Sequence, residues 1–381
     1  MSKATDAIKA ELLRKEVIKP LRKADFLSTG STLLNLACAG RWDGGFIKGK
    51  FYFLVGDSSS GKTFLSLTCL AEAARNQHFD KYRFVFDDVE GGALMSIEDF
   101  FGKRVADRME PPARDEDGSP MFSSTIEEFY VNTADAFAAG PCIYILDSMD
   151  SLTSDAEQKV WKERRTAIRK GNQLKGVFTD GKAKANSSGL RSLLAKLRDS
   201  ESILIIVSQT RDNPNAGMFE SKKTRAGGHS PTFYATLELH SSVGKAIKRD
   251  VGTMSPDDED NVEDDDDEST SKKKLQIGVI SRIRVKKNRV KGYDRTVEVP
   301  IYSTLGIDDV GSCVAYLKEW GHWKHKAGKV DAVEFGFKGY EKDLIKKIET
   351  EELETDLRML VGEVWAKIEA SVAMDRKPRY E

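Results

Sequence analysis

The sequence predicts an α/β fold, an open and mostly parallel twisted sheet carrying helices on both faces. Two observations carry that prediction. Between residues 51 and 210, short runs that are nearly all apolar alternate with longer stretches of helical periodicity. Strands buried on both faces and joined by βαβ crossovers read this way. Within the same region, Gly56-Asp57-Ser58-Ser59-Ser60-Gly61-Lys62-Thr63 fits G-x-x-x-x-G-K-S/T and stands between an apolar strand and a helix, the context that motif requires.

The elements follow in order. Residues 2–23 space Ile8, Leu12, Leu13, Val17 and Ile18 as one helical face, ended by Pro20. This short basic helix either packs on its own domain or docks on a neighbouring subunit. Strands are expected at Phe51–Val55, Phe84–Phe86, Cys142–Leu146 and Ile203–Val207, with helices at Thr63–Asn76 and Gly189–Arg198 between them. Further strands are expected at Leu237–His240, Leu275–Val285 and Arg295–Tyr302. From about residue 311 a smaller α+β unit mixes aromatics with glycines and ends in amphipathic helix around Leu344–Ile348 and Leu353–Ile368. The expected division is therefore 1–27, a core over 28–310, and 311–381.

Charge is segregated along the chain. The 381 residues carry 60 Lys and Arg against 61 Asp and Glu, a net charge of −1. Ten of the twelve residues from Asp257 to Glu268 are acidic, which leaves a net +9 on the remainder. Such a run cannot collapse on itself, so residues of about 250–272 are expected to form a disordered insertion, either a solvated linker or a mimic of DNA. Residues 156–198 and 272–295 each carry a net +9, so the near-neutral total does not exclude a polyanionic partner. No apolar run approaches the ~20 residues that span a bilayer, and the N-terminal residues lack a signal peptide's apolar stretch. The four cysteines, Cys38, Cys69, Cys142 and Cys313, form no CxxC pair and read as reduced core thiols of a cytoplasmic protein.

Four polar groups at strand ends are candidates for chemistry. In the loop 56–63 the glycines let backbone N–H groups approach phosphate oxygens at a helix N-terminus. Lys62 would neutralise the β- and γ-phosphates, and the Thr63 hydroxyl would ligate Mg²⁺. Asp147, ending the run Cys142–Leu146, would orient the Mg²⁺ shell. Past Phe84–Phe86, the run Asp87-Asp88-Val89-Glu90 offers a general base. Glu90 is the candidate, with Asp87 and Asp88 as alternatives that would leave Glu90 capping the next helix. Gln209, after Ile203–Val207, is placed to sense the γ-phosphate, or is only a turn residue.

These blocks in this order resemble the RecA-type homologous-recombination ATPases, most of all the phage-encoded, UvsX-like branch. The resemblance runs, with gaps, from about Ser28 to about Gly339. It rests on Ser28-Thr29-Gly30-Ser31, the loop GDSSSGKT, Val85 to Leu94, Ile145-Leu146-Asp147-Ser148, and Gln209 with Arg211. It extends through Met218-Phe219, Arg225-Ala226-Gly227-Gly228, Phe233-Tyr234-Ala235, Val285-Lys286-Lys287-Asn288-Arg289, and Trp320 to Gly328. The resemblance implies a RecA-like core with an N-terminal polymerisation helix and a small C-terminal domain. It implies ATP and Mg²⁺ as cofactors and Glu90 as the catalytic base. Gln209 and Arg211 would form the nucleotide-sensing switch, and Lys287 and Arg289 would reach the neighbouring subunit's ATP. For DNA it implies Lys184, Ser187, Arg191, Arg211, Met218, Phe219, Arg225, Gly227 and Gly228.

The implied activity is DNA-dependent ATP hydrolysis in a helical homo-oligomeric filament on single-stranded DNA. That filament pairs with homologous duplex DNA and exchanges strands, with single-strand-binding and mediator proteins as partners and no membrane. A ring-forming RecA-fold helicase and a mediator that does not exchange strands are the alternatives. The chain departs from the family between Ser148 and Lys184, which is longer and richer in Lys and Arg than in bacterial relatives. The adenine-stacking tyrosine also lacks a clear counterpart, with Phe100, Phe101 and Tyr302 as substitutes.

Overall fold

A computed structural model describes residues 20–170, 181–212, 223–225, 230–250 and 274–376. The expected N-terminal helix, the acidic run 257–268, Met218, Phe219, Gly227 and Gly228 lie outside these residues. So do the side chains of Arg211 and Arg225. Just before the core, Lys23–Asp25 forms a single 3-10 turn.

The fold is mixed α/β around one large sheet. Its strands are β1 (Lys50–Gly56), β2 (Arg83–Asp88), β3 (Met109–Glu110), β4 (Cys142–Asp147) and β5 (Ile203–Asp212). They continue as β6 (Lys223–Arg225), β7 (Leu237–Asp250), β8 (Lys274–Asn288), β9 (Thr296–Tyr302) and β10 (Gly306–Ile307). The order across the sheet is β10-β9-β8-β7-β1-β5-β4-β2-β3, with β6 paired to β5. The run from β7 to β3 is parallel, whereas β8, β9 and β10 add antiparallel strands beyond β7.

The central strands are apolar throughout because both sheet faces are covered. Tyr52, Leu54, Ile143, Ile145, Ile203 and Ile205 point into one core with α1 (Thr32–Ala39) and α2 (Lys62–Ala74). The alternate residues, among them Phe51, Phe53, Tyr144, Leu146, Leu204 and Ile206, point into a second core. That second core is closed by α3 (Ile126–Ala138) and the later helix α5 (Gly181–Asp199). Between α3 and α5 stands α4 (Asp155–Arg169), capped by Ser154 and Glu157 and burying none of its residues. The short α6 (Ser230–Tyr234) leads into β7.

Two strands run further than their apolar segments. β5 extends through Gln209 to Asp212 because its polar end pairs with β6, Thr210 facing Arg225. β7 passes the end of the parallel block, where Ser241 faces Gly56, and pairs on with β8 to Asp250.

C-terminal residues form α7 (Asp309–Glu319), a three-stranded sheet of β11 (Lys324–Lys326), β12 (Lys329–Ala332) and β13 (Phe337–Tyr340), then α8 (Glu341–Thr350) and α9 (Glu354–Ser371). α7 begins at Asp309, and Cys313, Leu317, Leu357 and Val361 join the same apolar core as α1 and α2. A buried carboxylate ties the pieces together. Asp309 Oδ1 accepts from the Thr32 amide at 2.6 Å, and its Oδ2 accepts from Thr32 Oγ1 at 2.8 Å and Arg358 Nε at 2.9 Å. Asp309→Ala strands a half-buried guanidinium and leaves Thr32 without its acceptor. It should lower unfolding free energy by about 3 kcal/mol, read as a shift of the urea midpoint.

Candidate functional site

The C-terminal ends of β1, β2, β4 and β5 lie along one edge of the sheet, where open α/β sheets place their sites. Gly56 at the end of β1 faces Gln209 on β5, and Asp88 on β2 faces Asp147 on β4. The polar residues that ended each apolar run in the sequence are thereby gathered at one place.

The loop after β1 is shaped by contacts that allow little bulk. A Cβ on Gly56 would come within 2.2 Å of the Ser241 carbonyl oxygen. Gly61 adopts φ +85° as the N-cap of α2, and a Cβ there would meet Ile301 Cδ1 at 2.5 Å. Ser60 Oγ and Ser241 Oγ are 2.8 Å apart, while Ser281 Oγ donates to Ser60 O at 2.7 Å. Thr210 Oγ1 donates to Asp57 Oδ1, so the loop is anchored to β5, β7 and β8 together. Lys62 and Ser60 are buried, while Ser58 and Ser59 are exposed.

Lys62 Nζ donates to Asp57 O at 2.6 Å. Burial pushes its pKa down, and the carboxylates of Asp147, Asp57, Glu90 and Asp150 push it back up. Thr63 Oγ1 donates to Asp147 Oδ2 at 2.5 Å. Burial raises the Asp147 carboxyl to about 6, with Glu90 and Asp88 adding to the rise. The strand end therefore holds more negative charge than its surroundings compensate, a charge balance that suits a divalent cation. Among the described residues no three His, Cys, Asp or Glu side chains group as a metal cage. Such a site matches Mg²⁺, which typically takes one or two protein oxygens and completes its shell with phosphate and water. Thr63 and Asp147 fit that role.

The structure separates the three acids at the end of β2 and just beyond it. Asp87 is fully buried and accepts from the Ser123 amide at 3.0 Å, Ser123 Oγ at 2.6 Å and Tyr144 OH at 2.8 Å. Asp88 accepts from the amides of Gly92 at 3.1 Å and Ala93 at 3.2 Å, shaping the loop. Glu90 instead turns to the sheet edge, where its Oε1 accepts from Ser148 Oγ, from Ser151 Oγ at 2.8 Å and from Gln209 Nε2 at 3.2 Å. The next helix, Ile97–Phe101, is capped by Ser96 and not by Glu90.

Gln209 is a junction. Its side chain meets Glu90, and its amide donates to Asp150 Oδ2 at 2.7 Å. Asp150 and Ser151 were not singled out from the sequence. Their signal was the polar run Asp147-Ser148-Met149-Asp150-Ser151 at a strand end. Beside α2, Phe64 packs against Phe100 (ring centroids 5.5 Å apart, edge-on) and Phe101 (4.9 Å). Phe101 is buried and Phe100 only half-buried.

The remaining candidates lie on α5 and at the end of β8. Lys184, Ser187 and Arg191 fall at i, i+3 and i+7 on α5, hence on one face. Lys184 and Arg191 are exposed, and Arg191 Nε donates to Ser187 O at 3.1 Å. Lys287 and Arg289 sit where β8 faces the start of β7, as Asn288 pairs with Leu237 and Leu237 with Tyr52. Lys287 donates to the carbonyls of Thr232 and Phe233, and Arg289 donates to Phe233 O at 2.8 Å. Four strand residues, about 13 Å, separate this level from Gly56.

No family model matches the sequence. The chain is 24% identical over 310 residues to Protein RecA of Methylococcus capsulatus, covering 80% of this chain and 73% of that one. It is 25% identical over 319 residues to Protein RecA of Thermus thermophilus, covering 82% and 78%. With Protein RecA of Helicobacter hepaticus it shares 26% identity over 303 residues, covering 78% and 72%. These matches support a relationship to the RecA family.

Proposed function

We propose that this chain is an ATP-dependent recombinase that assembles as a helical filament on single-stranded DNA and pairs it with homologous duplex in the cytoplasm. The observation that carries the reading is the hydrogen bond between Glu90 and Gln209. It joins a hydrolytic group to β5, whose far end leads into the loop 211–228, where Met218-Phe219 and Arg225 to Gly228 resemble the family's second DNA-binding loop.

Lys62 takes the β- and γ-phosphates, with loop amides 57–61 around them. Mg²⁺, held by Thr63 and Asp147, would supply positive charge against the phosphate oxygens. Glu90, steadied by Ser148 and Ser151, accepts the proton of the attacking water. Gln209 shares Glu90's carboxylate, so a change at the γ-phosphate shifts Gln209 and the strand behind it. Lys287 and Arg289 stand too far from their own subunit's loop to serve it, which supports a role across a subunit boundary. Lys184, Ser187 and Arg191 with Arg211, Met218, Phe219, Arg225, Gly227 and Gly228 are the proposed DNA contacts. Phe100 is the aromatic beside the nucleotide.

Single-stranded DNA should raise steady-state ATP turnover, and the protein with ATP should exchange strands between a circular single strand and a homologous linear duplex. Electron microscopy with a slowly hydrolysed ATP analogue should show open helical filaments. Closed hexamers would replace this reading with a ring helicase. Absence of both DNA stimulation and exchange would leave a mediator.

A further inference from the structure

A cleft of about 730 Å³ opens between the C-terminal helices α7 and α9 and the outer strands β8 and β9. Its lining includes no residue of the loop 56–63 and none of the strand ends around Glu90. Two helical stripes wall it. Tyr316 and Trp320 come from α7 and the residue after it, and Trp365 and Ile368 come from α9.

An aromatic row runs from the rim of this cleft inward. Trp320 is 53% exposed, and its ring centroid lies 6.0 Å from that of Tyr316. Tyr316 in turn stacks on Trp365 at 5.8 Å and 25°. Trp365 is only 9% exposed, and its indole N–H is buried with no hydrogen-bond partner among the described residues. A donor withdrawn from water without an acceptor costs stability that a ligand's acceptor would restore. Val372, just past α9, lines the cleft and is 71% exposed.

Charge on the lining is unevenly matched. Arg295 lies 3.5 Å from Glu369, and Arg282 stands opposite Glu298 in the β8–β9 register. Glu319, between Tyr316 and Trp320 in sequence, is exposed and forms no ion pair among the described residues. One carboxylate is therefore in excess beside an open indole face. That combination attracts a cation and repels a polyanion.

We propose that this cleft docks a short extended peptide segment of a partner protein, with one Lys or Arg set among apolar residues. The cation meets Glu319 and the face of Trp320, apolar side chains lie against Ile280 and Ile368, and a backbone carbonyl accepts from Trp365 Nε1. An alkylammonium alone would leave the indole N–H unpaired. The α7 wall from Ser312 to Trp320 is about 12 Å long, the span of about four extended residues. The inference concerns a site apart from the nucleotide edge and stands independently of the recombinase reading.

The test screens the full chain against an array of octapeptides that hold three apolar residues and vary a fourth position among Arg, Lys, Gln and Glu. The best binder and its variants are then measured by fluorescence anisotropy. Arg and Lys peptides should bind roughly tenfold tighter than Glu peptides, and Glu319→Lys should abolish that preference. Trp365→Phe keeps a ring but removes the N–H, so it should weaken Arg and Gln peptides alike by roughly fivefold. Far-ultraviolet circular dichroism of both variants should match the wild type, showing that they fold. If no peptide is retained, or if the charge preference survives Glu319→Lys, the proposal is overturned. Wild-type affinity in Trp365→Phe overturns it too, leaving the indole to a bound water. If the variants alter only the sedimentation of the peptide-free protein, the cleft is a contact between copies and the proposal fails equally.

Discussion

Glu90→Gln should lower ATP turnover by about 100- to 10,000-fold, the range a positioned general base contributes, while nucleotide and DNA binding persist. The substitution is close to isosteric. Ser148 and Ser151 can still donate to the side-chain carbonyl, so the loop 89–93 keeps its anchor. What is lost is an oxygen able to accept a proton. Single-turnover ATP cleavage and DNA binding, measured on the same preparation, should separate: cleavage nearly stops and the ATP-bound DNA complex lives longer. Normal turnover would move the base elsewhere. Asp87 and Asp88 would then be poor successors, the first enclosed by Ser123 and Tyr144 and the second committed to the amides of Gly92 and Ala93.

The sequence offered Glu90 as the candidate, but what withdraws Asp87 was not legible in it, for a physical reason. The groups that withdraw Asp87 from chemistry lie 36 and 57 residues away, and nothing local to Asp87-Asp88-Val89-Glu90 announces them. The loop Gly56–Thr63 was legible because its requirements are local: small residues for close backbone approach, then a cation and a hydroxyl at a helix start. The central strands were legible for a related reason, since double-sided burial leaves an unbroken apolar run whatever the partner.

Elements whose stability comes from elsewhere were read short or missed. α1 is buried over all eight residues and so has no polar face to mark its period. The outer half of β7 is held by pairing with β8 while its side chains face water, so hydropathy ended it at His240. α4 was counted as charge rather than read as a face, because its pattern answers to no core.

The second large effect concerns Lys62. Lys62→Ala should weaken ATP binding by roughly 150-fold, about 3 kcal/mol, within the range for removing one partner of a buried charge-assisted contact. The loss should be steep because four carboxylates act on this ammonium; without it only Mg²⁺ would offset their repulsion of the triphosphate. The nucleotide-free fold should tolerate the change well. Burial pulls the Lys62 pKa down, so the folded state already carries the cost of desolvating the charge, and its hydrogen bond goes to a loop carbonyl in return. Thermal unfolding with and without ligand therefore divides the two roles. At an ATP concentration 100 times the wild-type dissociation constant, ligand adds about 2.7 kcal/mol to the wild type but only about 0.3 kcal/mol to the variant. ATP-dependent assembly on DNA should vanish with that difference. A variant that unfolds at the wild-type temperature without ligand, yet gains the full ATP shift, would remove Lys62 from the phosphates. The strand-end pair Thr63–Asp147 would then be the principal anchor of the nucleotide.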